Sequence, residues 1–178
     1  MAATAPARVP LAPRNDLGEG GMSSTSTEKE MPSSVRAISF AEEMNARYRC
    51  TMEDSHTIID GYGSDPQTGF FGIYDGHGGR GVAEYLRTHL HKNIEEELRR
   101  KGSRSVEECI KAAYLLTDIN CSKTRDPASG ATSITCIVRK SKDRKYIYTA
   151  NCGDARAVLC HNRTAVRLSK VRKQTISS

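Results

Sequence analysis

The sequence has no tryptophan, only 6% aromatic residues and no Cys-x-x-Cys pair among its six cysteines. No apolar run approaches the roughly 20 residues that a membrane-spanning helix requires, and the N-terminus carries no continuous apolar stretch of the secretory-signal kind. A transmembrane or secreted protein is therefore not expected, and a cytoplasmic or nuclear location is. The cysteines, at 50, 109, 121, 136, 152 and 160, are scattered through stretches that read as helices and strands. Reduced thiols fit this better than zinc ligands or a disulfide framework. Basic helices, aromatic stacking strips and zinc-finger spacing are also missing. The net charge of +6 over 178 residues thus reads as a solvated surface that tolerates anionic partners. Neither nucleic acid nor membrane is expected as a partner, and the chain is expected to be a monomer.

Residues 1–34 hold four of the six prolines and no aromatic residue. They cannot bury enough apolar surface to offset the entropy of ordering, so this segment is expected to be a disordered tail. A folded domain is expected over 35–169, followed by a divergent tail over 170–178. Within the domain, Thr57–Ile59 and Phe70–Tyr74 read as strands on either side of a Gly/Asp/Pro-rich turn. Val82, Leu86, Leu90, Ile94 and Leu98 recur every four residues and predict an amphipathic helix that ends near Gly102. Ser105 with Glu108 makes a capping box, and Val106, Cys109, Ile110, Ala113 and Leu116 supply the apolar stripe of a second helix. Thr-, Ile-, Val- and Tyr-rich segments over 131–139 and 145–152 then read as a hairpin, with two shorter strands over 156–160 and 164–168. Strands, two helices and a run of antiparallel strands make an α+β fold.

The chemistry concentrates in three segments. Phe70-Phe-Gly-Ile-Tyr-Asp-Gly-His-Gly-Gly79 delivers Asp75 at the end of a buried strand. Gly76, without a Cβ, lets its carbonyl approach whatever that carboxylate binds, which suits a hard cation with oxygen ligands. His77 stands one residue beyond, where a proton donor is useful. Glu53 and Asp54 point to opposite faces of an extended backbone, so one faces a metal while the other orients a water or a neighbour. Arg49, four residues before Glu53, offers a planar fork for a phosphate. Asp154, between two strands, reads first as a turn former and second as a metal contact.

Taken together, Arg49-x-x-Met-Glu-Asp54, Phe71-Gly-Ile-Tyr-Asp-Gly-His-Gly-Gly79, Gly130-Ala-Thr132, Ala150-Asn-Cys-Gly-Asp-Ala-Arg-Ala-Val-Leu159 and Leu168-Ser169 resemble the PPM-type (protein phosphatase 2C) metal-dependent serine/threonine phosphatases. The resemblance covers the N-terminal part of that catalytic domain. It implies a β-sandwich of two antiparallel sheets flanked by helices, with two Mg²⁺ or Mn²⁺ ions at one end. Asp75 would bridge the ions, Glu53 and the Gly76 carbonyl would serve one of them, and Asp54 would act from behind the ligands. Asp154 would touch a weaker additional metal, Arg49 would hold the substrate phosphate and His77 would protonate the leaving oxygen. Phosphoserine and phosphothreonine proteins would be the substrates. The family's Asp-His-Lys element after Leu168-Ser169 is replaced here, with Val171 in the place of the acid, and its later metal-binding motifs do not follow. Weak or absent turnover is therefore expected of this chain, the alternative being a non-catalytic fragment that binds phosphoproteins or another partner.

Overall fold

The computed structural model describes residues 7–11, 31–123, 128–142 and 144–170. The expected tail over 170–178 lies outside these residues from Val171 onward, as does most of the segment over 1–34. The strands are β1 (Ala7–Leu11), β2 (Ser55–Asp60), β3 (Thr68–Tyr74), β4 (Gly76–His77), β5 (Gly130–Ala131), β6 (Ser133–Ser141), β7 (Arg144–Cys152), β8 (Val158–His161) and β9 (Thr164–Arg167). Two helices, α1 (Gly81–Arg99) and α2 (Val106–Cys121), separate β4 from β5.

A five-stranded antiparallel sheet in the order β1-β7-β6-β3-β2 forms the base. Alternation sends Phe70 and Tyr74 of β3 and Ile137 of β6 to one face, where the helices lie. There Leu86, Leu90 and Ile94 of α1 and Ile110, Ala113 and Tyr114 of α2 close the core. Each such aliphatic side chain, fully buried, contributes roughly 1.5–3 kcal/mol. The Tyr114 hydroxyl reaches through this layer to Ser133 Oγ (3.2 Å) and Thr135 Oγ1 (2.8 Å), and donates to the Ala150 carbonyl (3.1 Å). Helix and sheet are thereby registered by a buried polar contact as well as by packing. The opposite sheet face carries Ile58 and Ile73, both exposed.

The α+β architecture of antiparallel sheets and helices is as the sequence leads one to expect. Four details differ. Ala7–Leu11 falls within the segment expected to be disordered, yet it pairs with Lys145–Thr149, because an edge strand's free N–H and C=O groups accept a partner whatever its side chains. Leu116 is 40% exposed and faces solvent with Leu115 and Ile119, while Thr117 and Cys121 take the inward positions. Thr132 divides the expected strand into β5 and β6, and the short strand expected from Arg156 begins only at Val158. None of the six cysteines forms a disulfide.

Both halves of the capping box are made: Ser105 Oγ accepts from Glu108 N, and the Glu108 carboxylate accepts from Ser105 N at 2.7 Å. Replacement of Ser105 by alanine is expected to cost about 1 kcal/mol in a urea melt. At the end of β2, the Asp60 carboxylate accepts from the Ser34 hydroxyl and from the Ser33 and Ser34 amides (2.6 and 2.9 Å), pinning the segment that leads into the domain. These bonds, the Ser34 hydroxyl foremost, hold the Asp60 carboxyl below the usual carboxylate range. A depressed native pKa lends stability that is complete above the unfolded value and lost as pH falls through the native one. Asp60→Asn is therefore expected to lower the amide-exchange protection factors of Ser33 and Ser34 at neutral pH, and acid is expected to lower them in the unsubstituted protein.

Candidate active site

Three segments meet where β3 ends. Asp75 follows Tyr74 directly, and its carbonyl accepts from Thr132 N at 2.8 Å, which ties the start of β6 to the aspartate's backbone. Gly76 lies against the main-chain carbonyl of Glu53, and a Cβ there would also meet the Ala83 side chain at 3.2 Å. No larger residue fits without moving backbone. This contact brings the 49–54 segment onto the end of β3. Arg49 is carried by a turn in which Asn45 O accepts from Tyr48 N (2.8 Å) and Arg49 N (3.1 Å). A cleft of about 250 Å³ results, lined by Arg49, Glu53, Asp54, Asp75 and Gly76 together with Glu43, Met44, Asn45, Thr51 and Met52.

Electrostatics mark Asp75 as the centre. Although it is open to the cleft, its carboxyl is raised above the usual range, first by desolvation and then by the charges of Asp54 and Asp154. The charges of His77 and Arg49 oppose this. Two acids and two bases from three separate stretches of chain thus act on one carboxylate. Glu53 is arranged differently from Asp54: its carboxylate accepts from Thr51 Oγ1 at 3.3 Å, and it is the Glu53 main chain that meets Gly76. Asp154 lies in the bend after β7, so the expected turn role and an electrostatic role coincide.

One contributor was not foreseen. α1 starts at Gly81 after Arg80, which provides no side-chain cap. Ser129 supplies one from a distant loop, its Oγ accepting from Val82 N (3.1 Å) and donating to Gly79 O (2.9 Å). The signal was the missing Ser, Thr, Asp or Asn before the helix. Gly130, beside it, pairs with His77 across β4 and β5 and lies so close that a Cβ would meet the imidazole, with Cε1 at 2.8 Å. Thr132 has a buried hydroxyl without a hydrogen-bond partner among the described residues, next to the Asp75 carbonyl.

The carboxylates and the Gly76 backbone are oxygen donors of the kind that Mg²⁺ and Mn²⁺ accept. They fit a hard divalent cation in kind. In number they do not complete a ligand set: among the described residues, no three His, Cys, Asp or Glu side chains form a group able to hold a metal.

Comparison with known proteins agrees with this geometry. The family model for protein phosphatase 2C matches residues 38–176. Protein phosphatase 2C homolog 1 of Schizosaccharomyces pombe is 35% identical over 131 residues, covering 72% of this chain and 38% of that protein. Its namesake in Saccharomyces cerevisiae is 30% identical over 145 residues, covering 74% and 52%, and protein phosphatase 2C 56 of Arabidopsis thaliana is 37% identical over 132 residues, covering 68% and 29%. The chain thus spans about a third to a half of the length of these relatives. In fold alone it is similar to a sex-determining protein of C. elegans, with a TM-score of 0.59 at 22% identity over 69% of this chain and 32% of that one. The match over 38–176 places the chain in the protein phosphatase 2C family.

Proposed function

We propose that this chain provides the phosphate-binding and proton-donating half of a metal-dependent phosphoserine/phosphothreonine phosphatase centre. The observation that carries this reading is the Asp75 carboxylate, desolvated and crowded by Asp54 and Asp154 yet faced by Arg49 and His77. Like charges gathered this way oppose one another unless a cation joins them. Asp75, the Gly76 carbonyl and Glu53 would hold Mg²⁺ or Mn²⁺, with Asp54 and Asp154 close behind. Such a cation, when bound, supplies an activated water and neutralises phosphoryl charge.

The chain's own residues do the rest. Arg49, which makes no ion pair among the described residues, offers two parallel N–H donors to phosphate oxygens and fixes the ester in the cleft. The His77 imidazolium gives its proton to the serine or threonine oxygen as the P–O bond breaks. Gly130, lacking a Cβ, leaves the space that this imidazole fills. A second reading, capture of a phosphoprotein without turnover, is favoured by the incomplete ligand set. The two share Arg49 and differ in whether phosphate is released.

Incubation of the purified chain with a phosphothreonine peptide and Mn²⁺ is expected to release inorganic phosphate slowly, and Asp75→Asn to abolish the release. Binding of the peptide by an Arg49-dependent route with no phosphate released would establish the second reading instead. Stability gives an independent readout. Since the native pKa of Asp75 is raised, its ionised form opposes folding above that pKa and ceases to do so as pH falls through it. In metal-free buffer at pH 7, Asp75→Asn is expected to raise Tm by roughly 1–3 °C. That gain should shrink on acidification, and added Mn²⁺ should stabilise the unsubstituted chain but not the variant.

A further inference from the structure

Between β4 and α1 the chain passes through two glycines with positive φ, Gly78 (67°) and Gly79 (120°), directly after His77. Glycine restrains its own backbone least, so this stretch by itself fixes neither the path of the loop nor the imidazole carried at its start. His77 is exposed, and burial does not orient it either.

Three consecutive residues set that path from outside. Gly130 pairs with His77 across β4 and β5, and its missing Cβ leaves room for the ring. Gly78 lies against the Ala128 carbonyl, where a Cβ would overlap the oxygen. Ser129, between them, is the one of the three with a polar side chain. Its hydroxyl donates to Gly79 O (2.9 Å) and accepts from Val82 N (3.1 Å), so both of its capacities are used across the turn from loop to helix. A helix cap requires only the second of these bonds. The first reaches back to the residue two positions after His77 and satisfies no helical N–H.

We propose that Ser129 is a positioning residue for proton transfer from His77, closing the glycine loop and so limiting the swing of the imidazole. The inference rests on the reading of His77 as proton donor. Water oxygen bonds to phosphorus, and the ester P–O bond breaks with its electron pair on the serine or threonine oxygen. That oxygen takes the imidazolium proton, which solvent later replaces. An alkoxide leaves poorly without this proton, whereas p-nitrophenolate leaves without it. A misplaced donor therefore slows one ester more than the other, while damage to the cation site or to the fold slows both.

The test compares turnover of a phosphothreonine peptide and of p-nitrophenyl phosphate by the full 178-residue chain with Mn²⁺. Ser129→Ala is expected to lower the ratio of the first rate to the second about tenfold, and Ser129→Thr, which keeps the hydroxyl, to restore most of it. In a His77→Ala background the same change should leave the ratio within about twofold. Arg80→Ser offers α1 a cap from its own chain. Combined with Ser129→Ala it is expected to recover Tm without recovering the ratio, and it serves in place of the single variant should that one fail to fold. The proposal is overturned if both rates fall together, if the ratio drops as far without His77, or if Arg80→Ser restores it. A second readout needs neither cation nor substrate: the His77 Hε1–Cε1 NMR cross-peak should shift or broaden in Ser129→Ala, and an unchanged cross-peak overturns the proposal. Should no phosphate leave either ester, the functional reading fails and the cross-peak alone decides this one.

Discussion

The mutual repulsion of Asp54, Asp75 and Asp154 is the constraint around which this end of the molecule is organised. Folding brings together charges that would separate in an open chain, and the Asp75 pKa is raised first by desolvation and then by that opposition. What holds them is not their own chemistry but the backbone beneath. The Asp75 carbonyl is bonded to Thr132 N, and Gly76 is seated on the Glu53 carbonyl. The hydrogen bond fixes the Asp75 main chain and the contact at Gly76 leaves no room for a Cβ, so the carboxylates stay close at a cost the core sustains. Sites that bind cations are built this way, with the repulsion relieved only when the ion arrives.

The core that sustains this cost is local in part and long-range in part. α1 and α2 are adjacent in sequence and pack antiparallel over the sheet, closing around Leu90, Ile94 and Ile110. The sheet interleaves strands far apart in the chain, since β3 pairs with β6 and β7 pairs with both β6 and β1. The Tyr114 hydroxyl spans the boundary by bonding Ser133, Thr135 and Ala150. Through Ser133 it adjoins Thr132, and through Thr132 the Asp75 backbone, so the helix layer and the cleft share a rigid support.

Much of the fold was legible because period and punctuation agreed. The four-residue recurrence from Val82 to Leu98 could satisfy only a helix, and the Ser105–Glu108 box marked where the next one starts. Asp75, Gly76, His77, Arg49 and Asp54 were nominated from motif chemistry, and the structure gathers them at one cleft or around one carboxylate. Leu116 was misassigned because a helix carries apolar residues on faces that only its neighbours can declare inner or outer. β1 was missed because its pairing rests on backbone groups of a distant edge, which no side-chain pattern announces.

Residue order alone determined the local units: where the helices run, where the strands alternate, and which short motifs carry acids, an arginine and a histidine. Those properties depend on neighbours within a few positions, where periodicity and capping act. Tertiary structure alone decided that Glu53 meets the site with its main chain while Asp54 bears on Asp75, that Ser129 caps a helix from 47 residues away, and that Gly130 backs His77. Each is a contact between segments brought together by sheet pairing, and its sense depends on ångström-scale approach of backbones that no linear spacing encodes.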